Sequence, residues 1–117
     1  MASNEFIRGT LKTLILKLLA QNKRMYGYEI TQRVAELSDQ EIKLTYGALY
    51  PVLYKLETEG LLVTTTELVD NRARKYYALT PKGKKVSKVK VSELQRFTEI
   101  LSSILSDNTK PQMSLQG

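Results

Sequence analysis

The groups that could do chemistry in this chain are carboxylates, lysine and arginine cations, and seven tyrosines, because it has no cysteine and no histidine. Those absences remove the thiol nucleophile, the usual zinc sites and the commonest general base. The carboxylates are not arranged for acid–base work. Glu57 and Glu59 lie two apart on an expected helix and face different ways, and Glu36, Asp39 and Glu41 fall in a turn region, where solvation is the simpler account. There is no glycine-rich phosphate loop, nucleophile elbow or metal-ligand spacing. No cofactor is expected, and an enzyme is the least supported class.

The cations are better organised. Arg72, Arg74, Lys75, Lys82, Lys84, Lys85, Lys88 and Lys90 occur with no acidic residue between Arg72 and Lys90. Most charge runs are simply solvated, but the formal net charge of +6 favours an anionic partner, nucleic acid or membrane surface. Arg72, Arg74 and Lys75 are expected to hold phosphates. The tyrosines divide. Tyr46 and Tyr50 are expected on an outer face against DNA, whereas Tyr54 and Tyr77 are expected to pack in the core.

One stretch is able to present these groups. From Leu44 to Leu61 the apolar residues Leu49, Val52, Leu53 and Leu56 fall at helical spacing. The opposite face offers Thr45, Tyr46, Ala48, Tyr50, Tyr54 and Lys55. Hydroxyls and a methyl at the positive end of a helix suit phosphates and base edges. Thr45 is the expected N-cap, and Gly60 the left-handed stop. Pro51 should cost this helix a hydrogen bond and bend it. The period of Leu49, Leu53 and Leu56 on both sides favours a kink over a later start.

The surrounding elements follow from the same patterns. Residues 1–5 should fray. Ile7, Leu11, Leu14, Ile15, Leu18 and Leu19 keep a 3.6 period to about Ala20. A second helix runs from near Tyr26 to about Leu37. Leu62 to Val69 reads as a strand, Asp70 to Ala73 as a turn, and Arg74 to Leu79 as a returning strand. Thr80-Pro81 opens a last helix. Its stripe of Leu94, Phe97, Leu101 and Ile104 has coiled-coil spacing, too much apolar surface for a small domain to cover. Folding back on its own domain is the plain alternative; pairing with a second copy is the reading adopted. Helix, stop and strand pair give a mainly α (α+β) winged helix-turn-helix with a two-stranded β wing.

At 117 residues the chain suits one modest core. Residues 1–80 form the DNA-binding domain, 81–106 a C-terminal dimerisation helix and 107–117 a flexible tail. No signal peptide and no bilayer-length apolar run are present, so a cytoplasmic protein without a membrane partner is expected.

The chain resembles the PadR family of bacterial transcriptional regulators. The matching pieces are Tyr26-Gly27-Tyr28-Glu29-Ile30, Gly47-Ala48-Leu49-Tyr50-Pro51-Val52-Leu53, Leu56-Glu57-Thr58-Glu59-Gly60-Leu61, and Arg74-Lys75-Tyr76-Tyr77-Ala78-Leu79-Thr80-Pro81-Lys82-Gly83. The likeness covers about residues 6–105, and the single C-terminal helix looks like the short subgroup. It implies repression of a promoter by a homodimer, joined through the C-terminal helix with help from the first. The expected interface is therefore Ile7, Leu11, Leu94, Phe97, Leu101 and Ile104, on a palindromic double-stranded operator. Relief by a small, frequently aromatic, inducer is also implied, as is a proline at position 51. Where many members have wing-tip glycines, this chain has Asp70-Asn71. It also lacks tryptophan, so an inducer pocket would rely on Phe97 and Leu94, with Phe6. The rival class is a winged-helix protein–protein interaction module without specific DNA binding.

Overall fold

The computed structural model describes residues 4–107. The order is α1 (Asn4–Gln21), β1 (Met25–Tyr26), α2 (Gly27–Leu37), α3 (Tyr46–Thr58), β2 (Leu62–Val69), β3 (Arg72–Leu79) and α4 (Pro81–Leu105). The expected tail lies outside the described residues apart from Asp107. Met1–Ser3 of the expected frayed start lie outside them too, whereas Asn4 and Glu5 are already helical. The fold is the expected winged helix-turn-helix of mixed α+β type.

The core forms where the helical stripes meet. Ile15, Leu16, Ile30, Leu49, Leu53 and Leu56 are fully buried, with Leu61, Leu62, Met25 and Tyr77 closing the sheet side. Burying each such aliphatic side chain contributes about 1.5–3 kcal/mol. The sheet has three strands in the order β1-β3-β2, all antiparallel, and not the two expected. The extra strand is Met25–Tyr26, paired with Tyr77 and Tyr76. Two residues carry no periodicity by which a strand could be read.

Hydrogen bonds at the junctions set the angles between elements. Ser38 ends α2: its hydroxyl donates to the Val34 carbonyl at 2.8 Å and accepts the Ile42 N–H at 2.9 Å. Thr45 caps α3, its hydroxyl accepting the Ala48 N–H at 3.1 Å. At the far end Gly60 has φ +78°; its N–H reaches the Glu57 carbonyl, and the Leu61 N–H that of Leu56, both at 3.0 Å. This pair of bonds is a Schellman stop. Thr80 then ties α3 to α4. Its hydroxyl donates to the Gly60 carbonyl at 2.7 Å and accepts the Gly83 N–H at 2.9 Å. Lys12 meets Glu59 at 3.1 Å, joining α1 to the same corner.

α3 is helical on both sides of Pro51, which sits exposed inside it. Proline has no N–H, so the Gly47 carbonyl, four residues earlier and also exposed, keeps its acceptor capacity for solvent or a partner. The wing turns at Asp70 and Asn71, with φ of 52° and 64°, between the paired residues Val69 and Arg72. Two consecutive left-handed residues make a type I′ turn, which Asp and Asn tolerate in place of glycine.

Candidate nucleic-acid interface

The outer edge of α3 carries four of the expected reader residues. Thr45, Tyr46, Ala48 and Tyr50 are all exposed, opposite the buried Leu49 and Leu53. Among the described residues the Thr45 hydroxyl is engaged as an acceptor at the cap, which leaves its proton for donation. The Tyr46 and Tyr50 rings lie 5.6 Å apart between centroids. Tyr50 is held from behind by Gly27: a Cβ placed on that glycine would come within 2.8 Å of Tyr50 Cζ. Only glycine at the start of α2 lets the Tyr50 ring lie there.

Facing this edge is the wing. β1 ends at the Tyr26–Tyr76 pair, so residues 72–75 of β3 have β2 on one side and no strand on the other. An open cleft of about 820 Å³ separates that free edge from Tyr46 and Tyr50. Arg72, Arg74 and Lys75 line it on the wing side. The structure thus brings together Tyr46 and Tyr50 with the three wing cations. Thr45, Ala48 and Lys55 are not among the described residues of this cleft; Lys55 is exposed in the last turn of α3.

Side chains alternate along β3, which separates the three cations. Arg74 shares a face with Tyr26, Tyr76 and Glu67, and its guanidinium carbon stands 4.1 Å over the Tyr26 ring. Tyr26 meets Tyr76 edge to face at 5.5 Å. Arg24 stands 3.9 Å over Tyr76 and grips Glu67 through two bonds of 2.6 and 3.2 Å. That grip, chiefly the hydrogen bond, holds the Glu67 carboxyl below its ordinary pKa. Arg74 is therefore supported from below by an aromatic pair whose other end is fixed by Arg24. Lys75 points to the opposite face, 3.8 Å from Glu57 and 5.6 Å from the Tyr77 ring, so its charge is already partly answered. Arg72 is exposed and makes no ion pair among the described residues.

Two expectations about tyrosines divide. Tyr77 is core, as expected, and burial pushes its phenol pKa up. Tyr54 is not core: it is 68 % exposed, one turn beyond Tyr50 on the same side of α3. The residues that sequence reasoning passed over are Arg24, Tyr26 and Gly27, in the link before β1, in β1 and at the start of α2. Their signal was present as Tyr26-Gly27, but its use depends on the β1–β3 pairing.

The second surface is α4. Of its 25 residues only Gly83 and Ser87 are buried. Gly83 packs against the Leu61 carbonyl, and Ser87 donates to the Leu16 carbonyl at 3.2 Å. The remaining turns extend along a helix about 37 Å long, with Phe97, Ile100, Leu101, Ile104 and Leu105 exposed and Leu94 half-buried. Phe6 at the start of α1 is 69 % exposed. Ile7 and Leu11, expected to face a second copy, are 9 % and 2 % exposed in this chain and pack with its own core. They lie on the α1 stripe that packs inward, which periodicity alone does not separate from an interface stripe. Among the described residues no helix is long and apolar enough to cross a membrane.

Comparison with known proteins gives the family and the fold. A model of the transcriptional regulator PadR-like family matches residues 15–89. The chain is 41 % identical over 80 residues to Transcriptional regulator Rv3488 of Mycobacterium tuberculosis, covering 68 % of this chain and 71 % of that one. Among solved structures, a transcriptional regulator from Clostridium thermocellum superposes with a TM-score of 0.79 at 28 % identity, over 91 % of this chain and 100 % of the other. A padr family transcriptional regulator from Eggerthella lenta gives 0.71 at 30 % identity, over 89 % and 88 %.

Proposed function

Because the chain belongs to the PadR-like family of transcriptional regulators, and is in that capacity a regulator and not an enzyme, we propose that it represses transcription as a homodimer on a palindromic operator. Thr45, Tyr46, Ala48 and Tyr50 enter the major groove. Arg72, Arg74, Lys75 and Lys55 hold phosphates on either side. The observation that carries this reading is the cleft between the exposed edge of α3 and the free edge of β3, with hydroxyls on one wall and cations on the other.

The dimer seam is the exposed half of α4, with Leu94, Phe97, Leu101 and Ile104 at its centre and Phe6 at its margin. An uncovered apolar stripe of this length favours a partner, and a twofold partner would put two α3 edges on successive faces of one duplex. A small aromatic inducer would lodge in that seam against Phe97, Leu94 and Phe6, where it could alter the spacing of the two readers.

Titration with DNA from upstream of the protein's own gene, at two salt concentrations, tests the reading. Tight, salt-sensitive binding that prefers one sequence is expected. Weak binding alike to all duplexes would instead favour a winged helix that binds another protein.

A further inference from the structure

The hairpin that carries the wing cations also carries two carboxylates, Glu67 in β2 and Asp70 in the turn. Glu67 lies directly across the ladder from Arg74. Side chains of such a pair leave the backbone about 4.5–5.5 Å apart, and opposite charges there attract. The register alone therefore favours a Glu67–Arg74 ion pair, which would occupy a cation that the DNA reading needs.

The structure shows a different pairing. Arg24, in the link before β1, holds both Glu67 carboxylate oxygens, at 2.6 and 3.2 Å. A two-bond fork is the strong geometry for a guanidinium on a carboxylate. Arg24 is placed for it by the Tyr76 ring, whose centre is 3.9 Å from the guanidinium carbon. Arg74 stands over Tyr26 instead and makes no ion pair among the described residues. An aromatic face attracts a cation but carries no net charge, so Arg74 keeps its full charge for a phosphate.

We propose that Arg24 is a positioning residue for the wing: by taking Glu67, it keeps that carboxylate off Arg74. Without Arg24, Glu67 turns to the guanidinium opposite it, and a phosphate must compete with an internal partner. The effect on DNA binding rests on the DNA reading above. The exchange of partners does not, so it is measured first without DNA.

The first measurement is the titration of the Glu67 carboxyl, followed by carbon NMR in the full chain. Its pKa is lowered chiefly by the hydrogen bond from Arg24. In Arg24→Ala it should stay low, because Arg74 takes over. In Arg24→Ala/Arg74→Ala it should return to the ordinary glutamate value. A return in Arg24→Ala alone overturns the proposal, and so does a value that stays low in the double variant.

The second measurement is affinity for one duplex. Arg24→Ala should bind about threefold more weakly, the order of one exposed ion pair. Adding Glu67→Gln should restore binding, and in an Arg74→Ala background Arg24→Ala should cause no further loss. A loss that survives Glu67→Gln, or that adds in full to that of Arg74→Ala, would make Arg24 a phosphate contact in its own right and overturn the positioning role. If Arg74→Ala binds like wild type, the DNA reading of the wing fails, and the titration alone decides the exchange of partners.

Discussion

The ring of Tyr50 lies against the bare Cα of Gly27, so close that a methyl group on Gly27 would overlap the Tyr50 hydroxyl and come within 2.8 Å of its Cζ. This contact joins the start of α2 to the exposed edge of α3 and fixes where Tyr50 points. In Gly27→Ala the ring must swing away, since the overlapping atoms are the mobile end of its side chain. We expect a stability loss of only about 1 kcal/mol in urea, typical of one strained rotamer. Operator affinity should fall by more than that loss explains. An unchanged operator affinity would remove Tyr50 from the reader.

Phe97 and Leu11 should fail in different ways. Phe97→Asp places a charge on the exposed stripe of α4 and should yield a folded monomer by light scattering. Leu11→Ala opens a cavity in the core and should cost about 2–5 kcal/mol of stability. A Phe97→Asp protein that stays dimeric would take Phe97 out of the seam.

Much of the fold was legible because its junctions use local chemistry. Thr45, Gly60 and the Thr80-Pro81 pair mark helix ends through bonds within a few residues, and β2 coincides with the run Leu62–Val69. What escaped depends on distant partners. β1 exists only because Met25 and Tyr26 pair with β3. Ile7 and Leu11 repeat with the period that an interface residue would have, and only packing shows that they face inward. Tyr54 shares its residue type with Tyr77, yet one is exposed and the other buried. At the site, the α3 hydroxyls and wing cations were readable by type. The opposite facing of Arg74 and Lys75, and the aromatic support under Arg74, required the register of β3.

Thr80 holds the corner where α3, β3 and α4 meet, through its bonds to the Gly60 carbonyl and the Gly83 N–H. Thr80→Val keeps the shape and loses both. A destabilisation of about 1–2 kcal/mol is expected from the lost cap and the unanswered carbonyl. Thr80→Ser should recover most of it in the same denaturation series.

Tyr77 gives the fold an alkaline limit. Burial raises its phenol above the ordinary value of 10.0, so the folded state favours the neutral form. The stabilising contribution is whole below the unfolded pKa and is lost as pH rises from there through the folded pKa. Thermal midpoints should therefore fall above about pH 10, and Tyr77→Phe should soften that fall without altering the trend near neutrality. An identical alkaline fall in Tyr77→Phe would assign it to other groups.

The central claim is that the wing beside α3 binds the DNA backbone. Its most direct test is the slope of log binding constant against log salt for wild type and Arg74→Ala on the same duplex. Removing one phosphate contact should reduce the magnitude of the slope by about one and weaken binding to all sequences alike. A variant with the wild-type slope would contradict the placement of Arg74, and with it the wing, on the DNA.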